Sequence, residues 1–266
     1  MKSKIGIFGY GLIVLLFGAA CGVSALGTAG GETPGAETGE GTTPESAEAP
    51  LMPVSINEGL ASLDSYRMTY TSDVFDSVSQ TRTETTFVAA RDLASDASYN
   101  RTETRTTEGE SQEESIDVQE QFAIGDRLCA LSEGEASMTP VSEMAQVLSD
   151  LMSQVIVFQP LIENPVFAGE DVVNDVPVRT YTFDVRSLGA TTDVEASRSE
   201  GRYAVAIDGN YLMYYRLDIE LRTAGEGDPE AEYSTFFIEL SLEDVNQPVE
   251  IIFPPECLAA EASGEG

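Results

Sequence analysis

The chain is unusual for the residues that it lacks. It contains no histidine and no tryptophan, and its only lysines are Lys2 and Lys4. Without histidine, the Ser-His-Asp and Cys-His arrangements and a histidine-bearing zinc site are excluded, and the near absence of lysine excludes a Ser-Lys pair. Paired carboxylates of the glycosidase kind stay open, because acidic residues occur everywhere in the sequence. We predict a protein that is not an enzyme and that holds neither a metal nor a cofactor.

Positive charge is also scarce. From residue 21 onward the chain has 12 Arg against 46 Asp and Glu, a side-chain balance of −34. Such a surface repels the phosphates of nucleic acids and the anionic headgroups of lipids. We therefore predict no nucleic-acid partner, and we expect any attachment to a membrane to come from a covalent lipid.

The first residues have the organisation of an export signal. The lysines precede an apolar run, 5–17, that is short and interrupted by glycine, and the small residues Gly18-Ala19-Ala20 follow it. With Cys21 next, the segment resembles a bacterial lipoprotein signal with its lipobox, although Gly18 stands where an aliphatic residue is usual. The resemblance implies cleavage before Cys21, a diacylglyceryl thioether on its sulfur, further acylation such as palmitate, and a place on the extracytoplasmic face of the cell membrane, at the outer surface or in the periplasm.

Two other interpretations of this segment stay open. One is an ordinary secretory signal cleaved after Ala20, which would leave Cys21 as an incidental thiol. The other is an uncleaved transmembrane anchor.

Composition divides the chain into four parts. After a signal peptide over 1–20, the segment 21–52 is rich in Gly, Thr, Glu, Ala and Pro and has little that is apolar. It cannot bury enough surface to offset the entropy of ordering, so we predict a solvated tether. The part 53–258 is long enough for one domain with a core, and 259–266 are predicted to be a flexible acidic tail.

The domain has mainly the pattern of antiparallel strands. Tyr203, Val205 and Ile207 alternate toward one face, and a two-residue turn at Asp208-Gly209 is predicted to lead into a strand over 211–221. Because strands do not alternate regularly with helices, the sheet is predicted to be antiparallel. Further turns are predicted at Gly125-Asp126 and Asn174-Asp175, and further strands over 68–75, 81–90, 98–107, 116–124, 127–131, 176–185, 233–242 and 249–253.

Two helices are predicted beside these strands. The first begins at Ser55, which forms a capping box with Glu58. The second, over 139–156, starts at Thr139-Pro140 and has apolar residues at helical spacing. The predicted fold is α+β, with a curved antiparallel β-sheet, an incomplete barrel, wrapped over the two helices.

This order of elements resembles the LolA-like and LppX/LprG-like bacterial lipoproteins. The resemblance rests on the capped helix leading into residues 63–68, the helix over 139–156, the hairpin in 169–181, the turn at Asp208-Gly209 and the closing run 249–254. It implies a half-barrel that encloses an apolar cavity and carries a lipid or a lipoprotein. Asp175 stands where the family turn usually has glycine.

The residues that would line such a cavity lie on the second helix and on one strand. A solid core built from the same residues is the alternative interpretation, and it would suit a ligand-free envelope module that meets a protein partner. The candidates are Met144, Val147, Leu148, Leu151, Met152, Tyr215, Leu217 and Ile219.

Two cysteines are left once Cys21 is modified. An extracytoplasmic compartment tolerates disulfides, so we predict a bond between Cys129 and Cys257, with two buried thiols as the alternative.

Replacement of Cys21 tests the predicted anchor. We expect Cys21→Ser to move the protein from the membrane fraction to the soluble fraction, because acyl chains attached at this sulfur hold the protein on the bilayer. Cell fractionation followed by immunoblotting measures the change. A variant that stays in the membrane fraction with its signal uncut would contradict lipidation.

Overall fold

A computed structural model describes residues 50–109, 113–132, 134–140, 161–185, 194–223 and 232–263. Leu51–Gly266 form one compact unit. The described residues form two helices, α1 (Ile56–Ala61) and α2 (Pro255–Ser263), and eleven strands. The strands are β1 (Ser65–Asp76), β2 (Thr81–Asp92), β3 (Ala97–Glu108), β4 (Glu113–Ile124), β5 (Arg127–Ser132), β6 (Glu135–Pro140), β7 (Val166–Val173), β8 (Val176–Phe183), β9 (Val194–Ala206), β10 (Leu212–Thr223) and β11 (Tyr233–Glu243).

All eleven strands belong to one sheet in the order β6-β5-β4-β3-β2-β1-β11-β10-β9-β8-β7. Every neighbouring pair is antiparallel, which confirms the predicted sheet. The chain therefore starts in the middle of the sheet, runs out to one edge at β6 and returns from the other edge at β7. The first and last strands, β1 and β11, pair with each other at the centre.

The sheet is curved. The side-chain amide of Asn174, in the turn between β7 and β8, donates a hydrogen bond of 2.6 Å to the backbone oxygen of Leu242 in β11. In the sheet order β8, β9 and β10 lie between these two places, so the bond requires this edge of the sheet to bend toward β11.

The alternation of side chains gives the sheet two different faces. We call the face that carries Tyr203, Tyr215 and Leu240 the inner face, and the face that carries Arg105 and Arg216 the outer face. On the inner side, Ile56 and Leu60 of α1 join the main core. One half of the predicted capping box is confirmed: the Ser55 hydroxyl accepts from the Glu58 amide at 3.3 Å. The Glu58 carboxylate accepts from that same hydroxyl at 2.9 Å, where a capping box would have it accept from the Ser55 amide.

A second, smaller core lies on the outer side of β5 and β6. Cys129 and Cys257 form the predicted disulfide there, with both cysteines fully buried beside Phe253. Arg127 lies over the Phe253 ring at 5.0 Å and pairs with Glu261 of α2 at 2.9 Å. The predicted flexible tail thus begins inside a helix, because the disulfide and this ion pair hold the helix on the sheet.

Three other sequence predictions differ from the structure. Thr139 and Pro140, predicted to start a helix, end strand β6, where Thr139 pairs with Leu128; residues 141–160 lie outside the described part of the chain. The predicted strand 249–253 has no strand partner and is irregular, since prolines flank it and its buried Phe253 packs beside Cys257 of the helix. The turn at Asp208-Gly209 is a four-residue loop closed by Ala206 and Tyr211.

That loop changes the environment of one predicted core residue. Ile207 belongs to the loop and is 44% exposed, whereas Tyr203 and Val205 are fully buried as predicted. The turn at Asn174-Asp175 is confirmed as a two-residue turn, with φ of 49° and 66°. The wrapping over two helices is not confirmed, since the second predicted helix lies outside the described residues. Neither described helix combines the length and apolar character needed to cross a bilayer.

The disulfide is expected to stabilise the domain strongly. It joins residues 128 positions apart, and in the chain-entropy model such a loop is worth about 4 to 5 kcal/mol of unfolding free energy. We expect the variant Cys129→Ala/Cys257→Ala to unfold at a clearly lower urea concentration than the wild type. Reduction of the wild-type protein is the control and should give a similar shift. An unchanged midpoint in both cases would contradict this role.

Candidate functional site

The described part of the predicted cavity wall is tightly packed. Tyr215 is fully buried, and Leu217 and Ile219 are each 1% exposed, so all three lie in the main core. The other five candidates, Met144, Val147, Leu148, Leu151 and Met152, lie outside the described residues.

Aromatic rings form a continuous ladder across β8, β9 and β10 on the inner face. Tyr181 stacks on Tyr203 with centroids 4.9 Å apart, and Phe183 lies 5.9 Å from Tyr203 and 5.5 Å from Tyr215. Gly201 makes this possible, because a Cβ atom at that position would overlap the Phe183 ring. The ladder is therefore a solid wall, and its rings are held at contact distances typical of aromatic pairs.

The hydroxyl groups of the ladder hold two chain segments against the inner face. Tyr181 accepts a hydrogen bond of 2.9 Å from the Leu51 amide, and Tyr203 donates one of 3.3 Å to the Leu51 oxygen. Tyr215 donates one of 3.1 Å to the backbone oxygen of Leu161. Buried tyrosines usually find such partners, and here each partner comes from a segment outside the sheet.

Burial also changes the ionisation of these tyrosines. It raises the pKa of Tyr203, with a further contribution from Tyr181, and it raises the pKa of Tyr215 above the ordinary tyrosine value. Burial also raises the pKa values of Tyr66 and Tyr70. On the outer face, burial and a hydrogen bond to Glu120 raise the pKa of Tyr99 to about 12.

The chemistry of the inner face changes along single rows of the sheet. One row of paired residues starts with Leu217 and Ile238 on β10 and β11 and continues through Ser72, Thr85 and Thr104 on β1, β2 and β3. Its neighbouring row passes from aromatic and aliphatic side chains to hydroxyl and amide groups in the same way: Tyr203, Tyr215, Leu240, Tyr70, Phe87, Thr102 and Gln119. The chemistry changes between β11 and β1 in the first row and between β2 and β3 in the second, so the boundary between the two chemistries crosses β11, β1 and β2.

Hydrophobic side chains at this boundary are only half buried. Tyr70, Phe236 and Ile238 pack against the main core without being enclosed by it. They differ in this respect from the fully buried ladder on β8 to β10. The boundary is therefore one part of the described inner face where apolar surface is still available.

The outer face is a lattice of arginines and carboxylates. Arg105 contacts Glu103 at 3.7 Å and Glu114 at 2.9 Å, and Arg101 contacts Glu103 at 2.6 Å and Glu120 at 3.4 Å. Two grooves of about 640 and 340 Å³ lie along this lattice rather than on the apolar wall. The larger groove is lined by Asp73, Phe75, Gln80, Arg82, Glu84, Arg105, Thr107, Glu114 and Thr235.

Polar side chains in and beside the turn between β7 and β8 make hydrogen bonds within the protein. The Asp171 carboxylate of β7 accepts from the Val172 amide at 2.8 Å, and Asn174 bonds to Leu242 as described above. Within the ranges that the structure describes, no group of three or more Cys, Asp or Glu side chains is placed to hold a metal ion.

The comparisons found similar solved structures but no family model. No protein-family model and no curated protein matches the chain. Among solved structures, the chain is similar to LprF from Mycobacterium bovis, with 10% identity, a TM-score of 0.30 and coverage of 76% of this chain and 99% of that chain. It is similar to a LolA superfamily protein from Nitrosomonas europaea, with 9% identity, a TM-score of 0.23 and coverage of 74% and 96%.

A third similar structure is a DUF1329 family protein from Desulfovibrio piger, with 8% identity, a TM-score of 0.20 and coverage of 81% of this chain and 100% of that chain. The names LprF and LolA agree with the resemblance predicted from the sequence. At these TM-scores the similarity carries no argument about function, so the chain's own geometry has to carry it.

Sequence reasoning missed two residues that shape this site. Leu51 was assigned to the tether, but its backbone is held by two buried tyrosines. Gly201 carried no visible signal, because its role depends on Phe183 of a neighbouring strand. The apolar residue Leu51 next to Pro50 was the one hint that the domain begins before residue 53.

Alkaline pH is expected to destabilise the domain through its buried tyrosines. Because the folded state raises their pKa, their stabilising contribution is complete below the unfolded tyrosine pKa of about 10 and is lost as the pH rises through the folded-state values. Urea unfolding at increasing alkaline pH should show a falling midpoint, and Tyr203→Phe should weaken that dependence. If phenolate absorbance in the folded protein rises at the same pH as in the unfolded chain, the explanation is wrong.

Proposed function

We propose that this protein is a membrane-anchored extracytoplasmic lipoprotein whose domain binds or carries a hydrophobic ligand, a lipid or an acyl chain, without catalysis. In this proposal the lipid on Cys21 attaches the protein to the membrane, the tether 21–52 spaces the domain from it, and the domain contributes only a surface of suitable shape and polarity. No nucleic acid is involved, since the side-chain balance of −34 beyond the signal opposes it.

The change of chemistry along the inner face is the observation that carries this proposal. A lipid has an apolar part and a polar part, and the row from Leu217 and Ile238 to Ser72 and Thr85 offers both kinds of surface side by side. Burial of acyl surface on the apolar side contributes about 25 cal/mol per Å². Hydroxyl groups on the other side supply donors and acceptors without adding charge.

Non-catalytic binding requires no group that the chain lacks. The absence of histidine and the near absence of lysine remove common catalytic arrangements, whereas binding needs only apolar burial and hydrogen bonds. The curl that brings Asn174 to Leu242 supports a concave inner side, which is the usual setting for a small-molecule site.

A ligand-free module of the cell envelope is the second candidate, because one observation favours it. The described wall on β8 to β10 is filled: Tyr203 and Tyr215 are fully buried, and the Phe183 ring occupies the space above Gly201. A filled core has no room for a ligand at that place. Such a module would meet another protein through an edge of its sheet or through its acidic outer face.

The variant Ile238→Asp separates the two candidates. A carboxylate at the half-buried boundary should oppose an acyl chain, so we expect uptake of a fluorescent fatty acid by the purified protein to fall at least about fivefold. Fluorescence titration measures the uptake. Thermal unfolding of the same sample shows whether the variant is folded at the temperature of the titration.

The matched control is Ile116→Asp. Ile116 is the same residue type, lies on the outer face and is 54% exposed, so this variant should keep wild-type uptake. Equal uptake by both variants would place the ligand elsewhere. Failure of the wild-type protein to take up any fatty acid would leave the ligand-free module as the function.

A further inference from the structure

Three exposed hydrophobic residues adjoin neighbouring tyrosines near the place where the chain enters the domain. Met52 is 49% exposed, Leu161 is 37% exposed and Phe167 is 55% exposed. We call these residues the apolar rim. Exposed apolar residues that occur singly need no explanation, but a group of them marks a surface that meets something apolar.

Each residue of the apolar rim contacts one of three neighbouring tyrosines on the inner face. The Met52 sulfur lies 3.8 Å from the Tyr203 hydroxyl, and the Phe167 ring packs edge-on against Tyr181 with centroids 5.7 Å apart. Leu161 is held through its backbone oxygen by Tyr215. Tyr181, Tyr203 and Tyr215 are paired neighbours on β8, β9 and β10, so all three rim residues contact the same aromatic ladder.

The polypeptide that precedes the domain joins it at this same place. Leu51 is fixed at both its amide and its carbonyl by Tyr181 and Tyr203, and Met52 follows it directly. The 30 residues from Cys21 to Pro50 have a root-mean-square span of about 30 Å if they behave as a flexible chain. A lipid on Cys21 would therefore keep the rim within a few tens of ångströms of the bilayer.

The net charge of the domain determines which lipid headgroups the apolar rim can approach. With 46 acidic residues against 12 arginines beyond the signal, the domain is repelled by anionic headgroups, so contact has to come from apolar burial. The rim itself carries no charge. Glu170, which lies on the same strand as Phe167, forms an ion pair with Arg179 at 3.3 Å.

We propose that the apolar rim is a membrane-contact surface, and that Met52, Leu161 and Phe167 insert into the zwitterionic interface of the bilayer that holds the anchor. This inference rests on the proposed lipid anchor at Cys21 and extends it: the anchor brings the domain to the bilayer, and the rim orients it there. Amphipathic contact surfaces with Phe and Leu side chains bind at this depth of a membrane.

The absence of tryptophan allows a direct test. Phe167→Trp gives the full-length lipidated protein a single tryptophan in the rim. The protein is reconstituted into phosphatidylcholine vesicles that contain brominated acyl chains, which quench tryptophan at the bilayer interface. We expect emission from this variant to be blue-shifted and quenched at least about twofold more than in the control Ile116→Trp. Ile116 is equally exposed, at 54%, but lies on the outer face.

A second variant and a second lipid composition test the mechanism. Adding Met52→Ser and Leu161→Ser to the Phe167→Trp protein should reduce its quenching, because the other two insertion points are lost. Replacing half of the lipid by phosphatidylglycerol should also reduce it at low salt. Stronger quenching on the anionic vesicles would show an electrostatic contact and would overturn the proposal.

Vesicle flotation separates failure of the rim from failure of the anchor. If the protein floats with the vesicles but the rim and control probes are quenched equally, the anchor stands and the rim proposal is wrong. If the protein does not float, the anchor fails and the rim proposal fails with it. Fatty-acid uptake is measured independently, so neither outcome decides the ligand-binding proposal.

Discussion

The pairing of β1 with β11 is the contact on which the rest of the structure depends. The strands β1 to β6 and β7 to β11 are two meanders whose internal contacts are local, and this seam alone joins them in the sheet. It is reinforced where β1 begins: the Asp64 amide donates to the Asn246 side chain at 2.9 Å, and the Ser65 hydroxyl donates to the Gln247 oxygen at 2.5 Å. Without the seam there would be no continuous inner face, and the apolar and polar halves would not lie side by side.

The two faces of the sheet deal with different physical demands. The inner face removes aromatic and aliphatic surface from water, and its ladder of Tyr181, Tyr203 and Tyr215 also holds the segments at Leu51 and Leu161. The outer face has to accommodate a large excess of carboxylates. It does so by letting single arginines contact more than one acid, as Arg105 does with Glu103 and Glu114. Exposed pairs of this kind are worth little individually, so they relieve repulsion more than they drive folding.

The same few tyrosines connect the fold to the proposed functions. Their rings close the wall on β8 to β10, which argues against a hollow interior at that place, and their hydroxyls fix the start of the domain and support the apolar rim. The half-buried boundary at Ile238 lies on β11, next to β10 of that wall. The proposed ligand contact and the proposed membrane contact therefore involve different residues, although both adjoin the same aromatic ladder.

The sequence by itself determined the local features: the N-cap at Ser55, the turns at Gly125-Asp126 and Asn174-Asp175, the antiparallel class of the sheet, and the pairing of the two cysteines left after Cys21. The cap and the turns follow from the chemistry of residues adjacent in sequence, and the cysteine pairing follows from the number of cysteines. Only the tertiary structure decided that Thr139 and Pro140 belong to a strand, that 249–253 does not, that α2 extends to Ser263, and that Gly201 must lack a side chain. Each of these depends on residues distant in sequence, such as Leu128, Cys129 and Phe183, whose positions no local pattern contains.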